Sequence, residues 1–200
     1  MSQLASRLTF SFDDYLAWEQ CQSQRHEFVR GEVFAMAGGT DLHNEVSLNL
    51  AILLRQHLRG SPCRAYMGDV KVRVEAANCS FYPDVLVTCA ENDRADRYLK
   101  RSPLLVIEVL SPTTAVFDLG DKFAAYRKLD SLREYVLVDP ERVRVQIYRR
   151  LDDQWIVDSA GPGERLRLES IDLECPVETI YEDLSVPPAV GMAEEEERRP

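Results

Sequence analysis

The sequence lacks long hydrophobic runs. Its longest stretches without a charged residue span about ten positions, whereas a transmembrane helix needs roughly 20 predominantly apolar residues. The N-terminal stretch MSQLASRLTFSFDD contains no apolar segment of the signal-peptide type. These absences predict a chain with no membrane-spanning segment and no signal peptide, and therefore a cytoplasmic protein.

Basic residues are scarce relative to acidic ones. The 200 residues include 34 Asp and Glu against 24 Lys and Arg, so the formal net charge is −10 at pH 7. Non-specific binding to nucleic acid draws its affinity from Lys and Arg side chains that neutralise phosphates. The composition therefore argues against tight non-specific binding of nucleic acid, but it does not exclude a local basic groove.

The sequence also lacks the cysteine spacings that are typical of disulfide frameworks and zinc sites. The five cysteines are odd in number and form no C-x-x-C pair, which fits neither a disulfide framework nor a zinc site. A free cysteine commonly packs as a small hydrophobic side chain. All five are therefore predicted to be reduced: Cys21, Cys63, Cys79, Cys89 and Cys175.

Several catalytic motifs are absent. The chain has no Walker A sequence, no G-x-G-x-x-G and no G-x-S-x-G. The pair His26-Glu27 begins an H-E-x-x-H pattern, but Arg30 stands where a zinc protease needs its second histidine. The length predicts a single domain over residues 1–184, followed by a flexible acidic tail over residues 185–200 that contains EEEERR.

Hydrophobic periodicity predicts a mixed α/β fold with an N-terminal helix and hairpin. Ser11 and Thr40 are candidate N-caps of the first two helices. Helices are predicted over residues 12–21, 40–60 and 118–132. Strands are predicted in a hairpin over 25–36, at 64–67, 70–75, 81–89, 104–110 and 134–139, in a hairpin over 143–159, and in the segment RLRLES.

Two carboxylates stand out in the predicted strands. Glu108 is the one charged residue in the apolar run LLVIEVL, and an ionised carboxylate held out of water needs a counter-charge or a cation. Asp84 is the one charged residue in the preceding strand, FYPDVLVTC. Two inward carboxylates on neighbouring strands are typical of a Mg²⁺ site, although a structural salt bridge would explain Glu108 equally well.

Lys122 is the candidate counter-charge for Glu108. It lies at the edge of the apolar stripe of the predicted helix 118–132, from which its ammonium could reach a site beneath the helix. Beside a metal ion, a lysine could position a water molecule and stabilise charge that develops on a phosphate. The alternative is a solvated surface lysine.

Several segments together resemble a known family. The segments HEFVRGEVFAMAGGT, FYPDVLVTC, LLVIEVLSPTT and FDLGDKFAAYRKLDSLREYVLVDP resemble, in order and spacing, the Uma family of predicted restriction endonucleases. The match covers about residues 9–180, and its most specific parts are the EVLSP run and the D-x-x-x-K-x-x-x-Y helix.

The resemblance implies a fold and a reaction. The Uma family is similar to the PD-(D/E)xK nucleases, in which a restriction-endonuclease-like mixed β-sheet flanked by α-helices carries a metal site. By that resemblance Asp84 and Glu108 bind Mg²⁺ or Mn²⁺, the carbonyl of Val109 adds a ligand, and the products are 5′-phosphate ends. The superfamily lysine would lie two residues after Glu108, where this chain has Leu110, so the resemblance implies that Lys122 replaces it.

The resemblance also supplies secondary candidates. Glu32 and His43 match family positions and could complete the metal shell or orient a water, although Glu32 could equally pair across its hairpin. A homodimer is a further expectation of the family. Nucleic acid, which the resemblance implies to be DNA, would contact the basic loop before the central strand: Arg94, Arg97, Lys100 and Arg101.

The predicted function is therefore Mg²⁺-dependent endonucleolytic hydrolysis of phosphodiester bonds in nucleic acid. Two alternatives remain open. The acidic composition favours a catalytically weak or inactive nuclease fold that serves as a protein-binding or assembly module. A hydrolase that acts on a smaller phosphodiester or a tRNA-type substrate would also need less basic surface.

Overall fold

A computed structural model describes residues 9–36, 38–111 and 114–184. The predicted acidic tail, residues 185–200, lies outside these ranges. The helices are α1 (Phe12–Glu19), α2 (Asp41–His57), α3 (Glu91–Ala95), α4 (Ala115–Phe117) and α5 (Phe123–Tyr126). The strands are β1 (His26–Val29), β2 (Glu32–Ala35), β3 (Arg64–Met67), β4 (Lys71–Val74), β5 (Cys79–Phe81), β6 (Val85–Thr88), β7 (Leu99–Lys100), β8 (Leu105–Val109), β9 (Glu134–Asp139), β10 (Arg144–Leu151), β11 (Gln154–Ala160), β12 (Arg165–Leu168) and β13 (Leu173–Pro176).

The first two helices begin at the predicted caps. The Ser11 hydroxyl accepts a hydrogen bond from the backbone N–H of Asp14, and the Thr40 hydroxyl accepts one from the backbone N–H of His43. Each cap satisfies one of the backbone donors that a helix N-terminus leaves without a partner. The Thr40 cap therefore fixes the position of His43 in the first turn of α2.

The larger sheet has six strands in the order β11-β10-β9-β8-β6-β3. Its β8 and β9 strands are parallel, and its other neighbours are antiparallel. Every residue of β8 is buried, as predicted from its apolar run. One face of this sheet packs against the apolar stripe of α2, to which Val46, Leu50 and Leu54 contribute.

The smaller sheet covers the opposite face of the larger one. Its five strands lie in the order β2-β1-β5-β4-β7, and its side chains Val72, Val74 and Phe81 pack with Val106 and Leu137 of the larger sheet. The two mixed sheets with helices around them confirm the predicted α/β class. Because Val106 and Glu108 are two residues apart, both side chains face the smaller sheet.

Two predicted elements are divided in the structure. The predicted strand 81–89 breaks at residues 82–84, so that β5 belongs to the smaller sheet and β6 to the larger. Pro83 at this break has no N–H to donate to a strand ladder. The predicted helix 118–132 starts earlier, with α4, continues through the π-helical turn Asp118–Lys122, and ends with α5.

The prediction that every cysteine is reduced is wrong for one pair. Cys63 and Cys89 form a disulfide. Residues 64 and 88 are partners in the β3–β6 register, so the two cysteines stand opposite each other just beyond the paired residues. The sequence separation of 26 residues hides this proximity, because it arises only when β3 pairs with β6. Cys21, Cys79 and Cys175 are free, in agreement with the prediction.

Within the three described ranges, no helix reaches the length and apolar character that a bilayer crossing requires.

Candidate active site

The two predicted acids lie beside each other at one corner of the larger sheet. In the antiparallel register of β6 and β8, residue 85 faces residue 107, so the next position brings Asp84 beside Glu108. The backbone N–H of Val109 donates a 2.7 Å hydrogen bond to Oδ2 of Asp84. The break at residues 82–84 thus places Asp84 at the gap between the two sheets, and this hydrogen bond fixes its carboxylate beside the end of β8.

Lys122 lies among three carboxylates. Its Nζ atom is 3.1 Å from Oε1 of Glu27, 3.2 Å from Oε1 of Glu108 and 3.2 Å from Oδ1 of Asp118. Lys122 is 6% exposed and Glu108 is 2% exposed, so these contacts are sheltered from solvent. We call the four residues Glu27, Glu108, Asp118 and Lys122 the buried acid–lysine cluster. The structure thus brings the predicted ammonium to Glu108.

The sequence analysis did not assign Glu27 or Asp118 to the site. Glu27 was considered only as part of an incomplete zinc motif, although it is a buried charge within the apolar part of β1. Asp118 precedes Lys122 by four residues, a spacing at which helical side chains meet. The π-helical turn holds both ends of this pair, and π-helical turns occur frequently at functional sites.

The cluster is buried and holds more acid than base, and both features shift the pKa of its members. Burial raises the pKa of the Glu108 carboxyl well above its usual value, and Asp84, Asp118 and Glu27 raise it further, while Lys122 opposes the shift. Burial likewise raises the pKa of Glu27. Burial alone would lower the pKa of Lys122, but the carboxylates outweigh it and raise that pKa well above the usual value. The lysine is therefore held as an ammonium.

His43 contacts the same carboxylate oxygen of Asp84 that accepts the hydrogen bond from Val109. Its Nε2 atom lies 3.3 Å from Oδ2 of Asp84. The hydrogen bond with Asp84 raises the pKa of His43; burial lowers it, but the charge of Asp84 and a hydrogen bond with the Val109 backbone add to the upward shift. A Cβ atom added at Gly39 would lie 2.8 Å from Nδ1 of His43, so the glycine allows this close approach of the imidazole.

A cavity of about 620 Å³ opens above the cluster, between the β1–β2 hairpin and the α4 region. The predicted residues Asp84, Glu108, Val109, His43 and Lys122 all line it. Glu32 is not among the described residues that line it, since β2 presents Phe34 and Ala35 there instead. The hairpin therefore contributes its acid to the site from β1, through Glu27, and the structure does not bring the predicted Glu32 to the cavity.

Known proteins that are similar in sequence to this chain identify its family. Residues 12–178 match the model of the family Uma2, described as "Putative restriction endonuclease". This chain belongs to the Uma2 family. The uncharacterized protein slr1290 of Synechocystis sp. is 36% identical over 174 residues, which cover 86% of this chain and 92% of that protein. A second uncharacterized Synechocystis protein, sll1609, is 31% identical over 172 residues, or 84% of this chain and 97% of the relative.

A solved structure supports the fold. The crystal structure of a putative nuclease belonging to DUF820 from Anabaena variabilis is similar, with a TM-score of 0.72, over 86% of this chain and 97% of that one. The two sequences are 16% identical, so the likeness concerns the fold. The predicted restriction-endonuclease-like fold is confirmed, with two mixed sheets packed together rather than one.

The resemblance to the PD-(D/E)xK nucleases implies a metal ion at this site, so the residues present must be compared with what a metal ion requires. Among the described residues, no group of three or more His, Cys, Asp or Glu is arranged so that it could hold a metal. Mg²⁺ does not need such a cage, because it commonly binds through one or two carboxylates and keeps several waters. Asp84 and Glu108 supply two adjacent carboxylates in a cavity where acids outnumber bases, so the donor set suits Mg²⁺.

The predicted nucleic-acid loop is less available in this Uma2 protein than its sequence suggests. Lys100 is 1% exposed, and its Nζ donates to the backbone carbonyls of Asp93 and Asp96, so the prediction of a surface cation is wrong there. The ammonium therefore donates its hydrogen bonds to the C-terminal end of α3. Arg101 is exposed and forms ion pairs with Glu75 and Asp96.

The other two arginines of the loop are exposed. Arg94 donates to the backbone carbonyl of Pro62, whereas Arg97 follows α3 at the surface. The loop thus presents three arginines rather than four cations, and acidic side chains already neutralise one of them.

Proposed function

We propose that this Uma2 protein is a Mg²⁺-dependent endonuclease that hydrolyses phosphodiester bonds of DNA. The observation that carries the proposal is the buried Glu108 beside Asp84, with the ammonium of Lys122 3.2 Å from Glu108 at the floor of an open cavity. Burying several acids around one base opposes folding, so a purely structural role gives no reason for the excess of carboxylates. A divalent cation would offset that excess.

Asp84, Glu108 and the Val109 carbonyl would hold the metal. When bound, Mg²⁺ would polarise a phosphate oxygen and lower the pKa of a water molecule. Lys122 would stabilise the negative charge that develops on the phosphate, because the surrounding carboxylates keep it protonated. Glu27 and Asp118 would act through Lys122 by holding its ammonium in place.

His43 would complete the site from the side of α2. Its imidazole lies against Asp84 and lines the same cavity, where it could orient a water or a phosphate oxygen. Because Asp84 favours the charged imidazole, metal binding at Asp84 would compete with the proton on His43. Mg²⁺ affinity is therefore expected to rise with pH in the range where His43 loses its proton.

One observation favours the alternative of an inactive fold that binds a protein partner. The Lys122 ammonium already contacts three carboxylates, so Glu108 has a counter-charge without any metal. In that case the cluster would serve only to fix the α4–α5 region onto the sheets, and the site would not bind Mg²⁺.

Calorimetry and a cleavage assay on the same samples separate the two functions. We expect Mg²⁺ or Mn²⁺ to bind the wild type and to support cleavage of DNA to 5′-phosphate ends, while EDTA abolishes cleavage. Glu108→Gln, which keeps the size of the side chain, should lose both binding and cleavage. Glu45→Gln, an exposed change on α2, is the control and should retain both. Unchanged metal binding in Glu108→Gln, or no binding by the wild type, would refute the proposal.

Two further properties are part of the proposal, namely a homodimer and a cytoplasmic location. Sedimentation at micromolar concentration should give the mass of two chains, each of 22.9 kDa. A fluorescent fusion expressed in its own host should distribute through the cytoplasm. A monomer mass or an envelope-bound signal would count against the respective expectation.

A further inference from the structure

The walls of the candidate active site are apolar, in contrast to its floor. Phe34 projects from β2 with 50% of its surface exposed, and it lines the cavity next to Met36. Phe117 lies on the α4 side of the same cavity. Phe34 is the exposed aromatic ring among the described lining residues. Phe34 is the register partner of Glu27 in the β1–β2 hairpin, so a half-exposed phenylalanine ring lies beside a carboxylate of the buried acid–lysine cluster.

Cations are scarce at this cavity. Of the described lining residues, the basic ones are Lys122 and His43, and both already contact carboxylates. No arginine lines it within the described part of the chain. A duplex owes much of its affinity for proteins to basic groups that neutralise phosphates on both strands. The cavity offers too few of them for a duplex to bind by that route.

The volume of the cavity is that of a small-ligand pocket. Its volume of about 620 Å³ falls within the range of pockets that enclose most of a small ligand. The cluster at its floor is almost entirely buried, so a phosphodiester must enter the cavity to reach Glu108. A strand whose bases are paired is held within a helix and cannot follow its phosphate into such a space.

We propose that the cavity accepts an unpaired nucleotide of single-stranded DNA, with its base stacked on Phe34 and its phosphate directed toward Asp84 and Glu108. This inference rests on the proposed nuclease function and specifies its substrate. Single-strand binders combine positive charge along the backbone with aromatic rings on which unpaired bases stack, and each stacked base contributes about 1–3 kcal/mol. An exposed ring therefore supplies affinity that a duplex, whose bases already stack on one another, cannot use.

The test compares one labelled oligonucleotide as a single strand and as a duplex, with 2-aminopurine placed near its centre. Wild-type protein in Mg²⁺ should bind and cleave the single strand in preference to the duplex, and stacking should quench the 2-aminopurine fluorescence. Phe34→Ala should weaken single-strand binding about 5- to 150-fold and remove the quenching. Phe34→Trp should restore both effects.

Ile52→Ala provides the matched control, because Ile52 is a similarly exposed apolar residue, 46% exposed, on α2. It should leave binding unchanged. Preference for the duplex, absence of binding to the single strand, or wild-type binding and quenching by Phe34→Ala would each overturn the inference. The proposed function has its own criterion: cleavage of either substrate that is lost in Glu108→Gln supports it even where the stacking inference fails. If Phe34→Ala does not fold, the wild-type comparison and its quenching decide the question.

Discussion

Removal of the Lys122 ammonium tests whether the buried acid–lysine cluster is organised as the structure indicates. Lys122→Met keeps an unbranched apolar stem but leaves Glu27, Glu108 and Asp118 without their shared cation. Loss of one partner from a buried ion pair costs about 3–5 kcal/mol, because the remaining charges stay buried. With a urea m value of about 2 kcal/mol per M, the unfolding midpoint should fall by roughly 2 M.

The stability that Lys122→Met loses should depend on pH in a defined direction. The pKa of Glu108 and that of Glu27 are raised in the folded protein, so their charged forms oppose folding. This penalty is absent below the unfolded pKa and grows as pH rises through the folded pKa. Without Lys122 the penalty is larger, and the stability gap between variant and wild type should be wider at pH 8 than at pH 5.

Urea unfolding in EDTA, followed by circular dichroism at both pH values, measures this gap. Lys128→Met is the matched control, because Lys128 lies six positions further along the chain and is exposed. It should change stability by less than about 0.5 kcal/mol. A Lys122→Met variant as stable as the wild type at pH 8, or a gap that does not narrow at pH 5, would show that the three carboxylates do not depend on this ammonium.

Three other predictions address the site and its support. Gly39→Ala should displace the imidazole of His43 and lower its pKa in an NMR titration, whereas Gly38→Ala, which meets nothing within 4 Å, should not; equal titrations would contradict the contact. Reduction of the Cys63–Cys89 disulfide, which closes a 26-residue separation, should lower the free energy of unfolding measured in urea by about 3.5 kcal/mol, and an unchanged midpoint would refute that role. Mg²⁺ at 100 times its Kd should raise stability by about 2.7 kcal/mol in a thermal-shift assay, an effect that Na⁺ at equal ionic strength should not reproduce.

Periodicity in the sequence predicted most of the sheet. The continuous apolar run around β8 reflects a strand that is buried on both faces. The mixed apolar and polar pattern of the β10–β11 hairpin reflects strands that are buried on one face. The break between β5 and β6 was missed, because FYPDVLVTC has the pattern of one strand, and only the packing of two sheets divides it. That same break places Asp84, so the sequence identified the residue but not the geometry that brings it beside Glu108.

Contacts between distant segments explain the other differences. Glu27 and Lys122 are far apart in sequence, and nothing in the local pattern of the β1–β2 hairpin reveals a cation on the opposite side of the cavity. Lys100 was predicted to contact nucleic acid as part of an exposed basic loop, whereas here its ammonium donates to backbone carbonyls of the preceding turn. In both cases tertiary packing satisfies a charge that composition alone assigns to solvent.

In this chain the ammonium beside Glu108 comes from Lys122 of the π-helical turn, whereas the superfamily lysine would lie two residues after Glu108 on the strand. We infer that the site requires a cation at this position in space, whichever element supplies it. Leu110 lies two residues after Glu108, so it shares the face of Glu108, and it packs with the apolar side chains between the two sheets. Leu110→Lys in the Lys122→Met background should return a cation to that face. We expect it to recover at least about 1 kcal/mol of the lost stability and part of the Mg²⁺-dependent cleavage. Leu110→Met in the same background supplies a flexible stem without charge and should recover neither. If the two double variants behave alike, the carboxylates require the lysine of the π-helical turn itself, since a positive charge on the strand face then has no access to them.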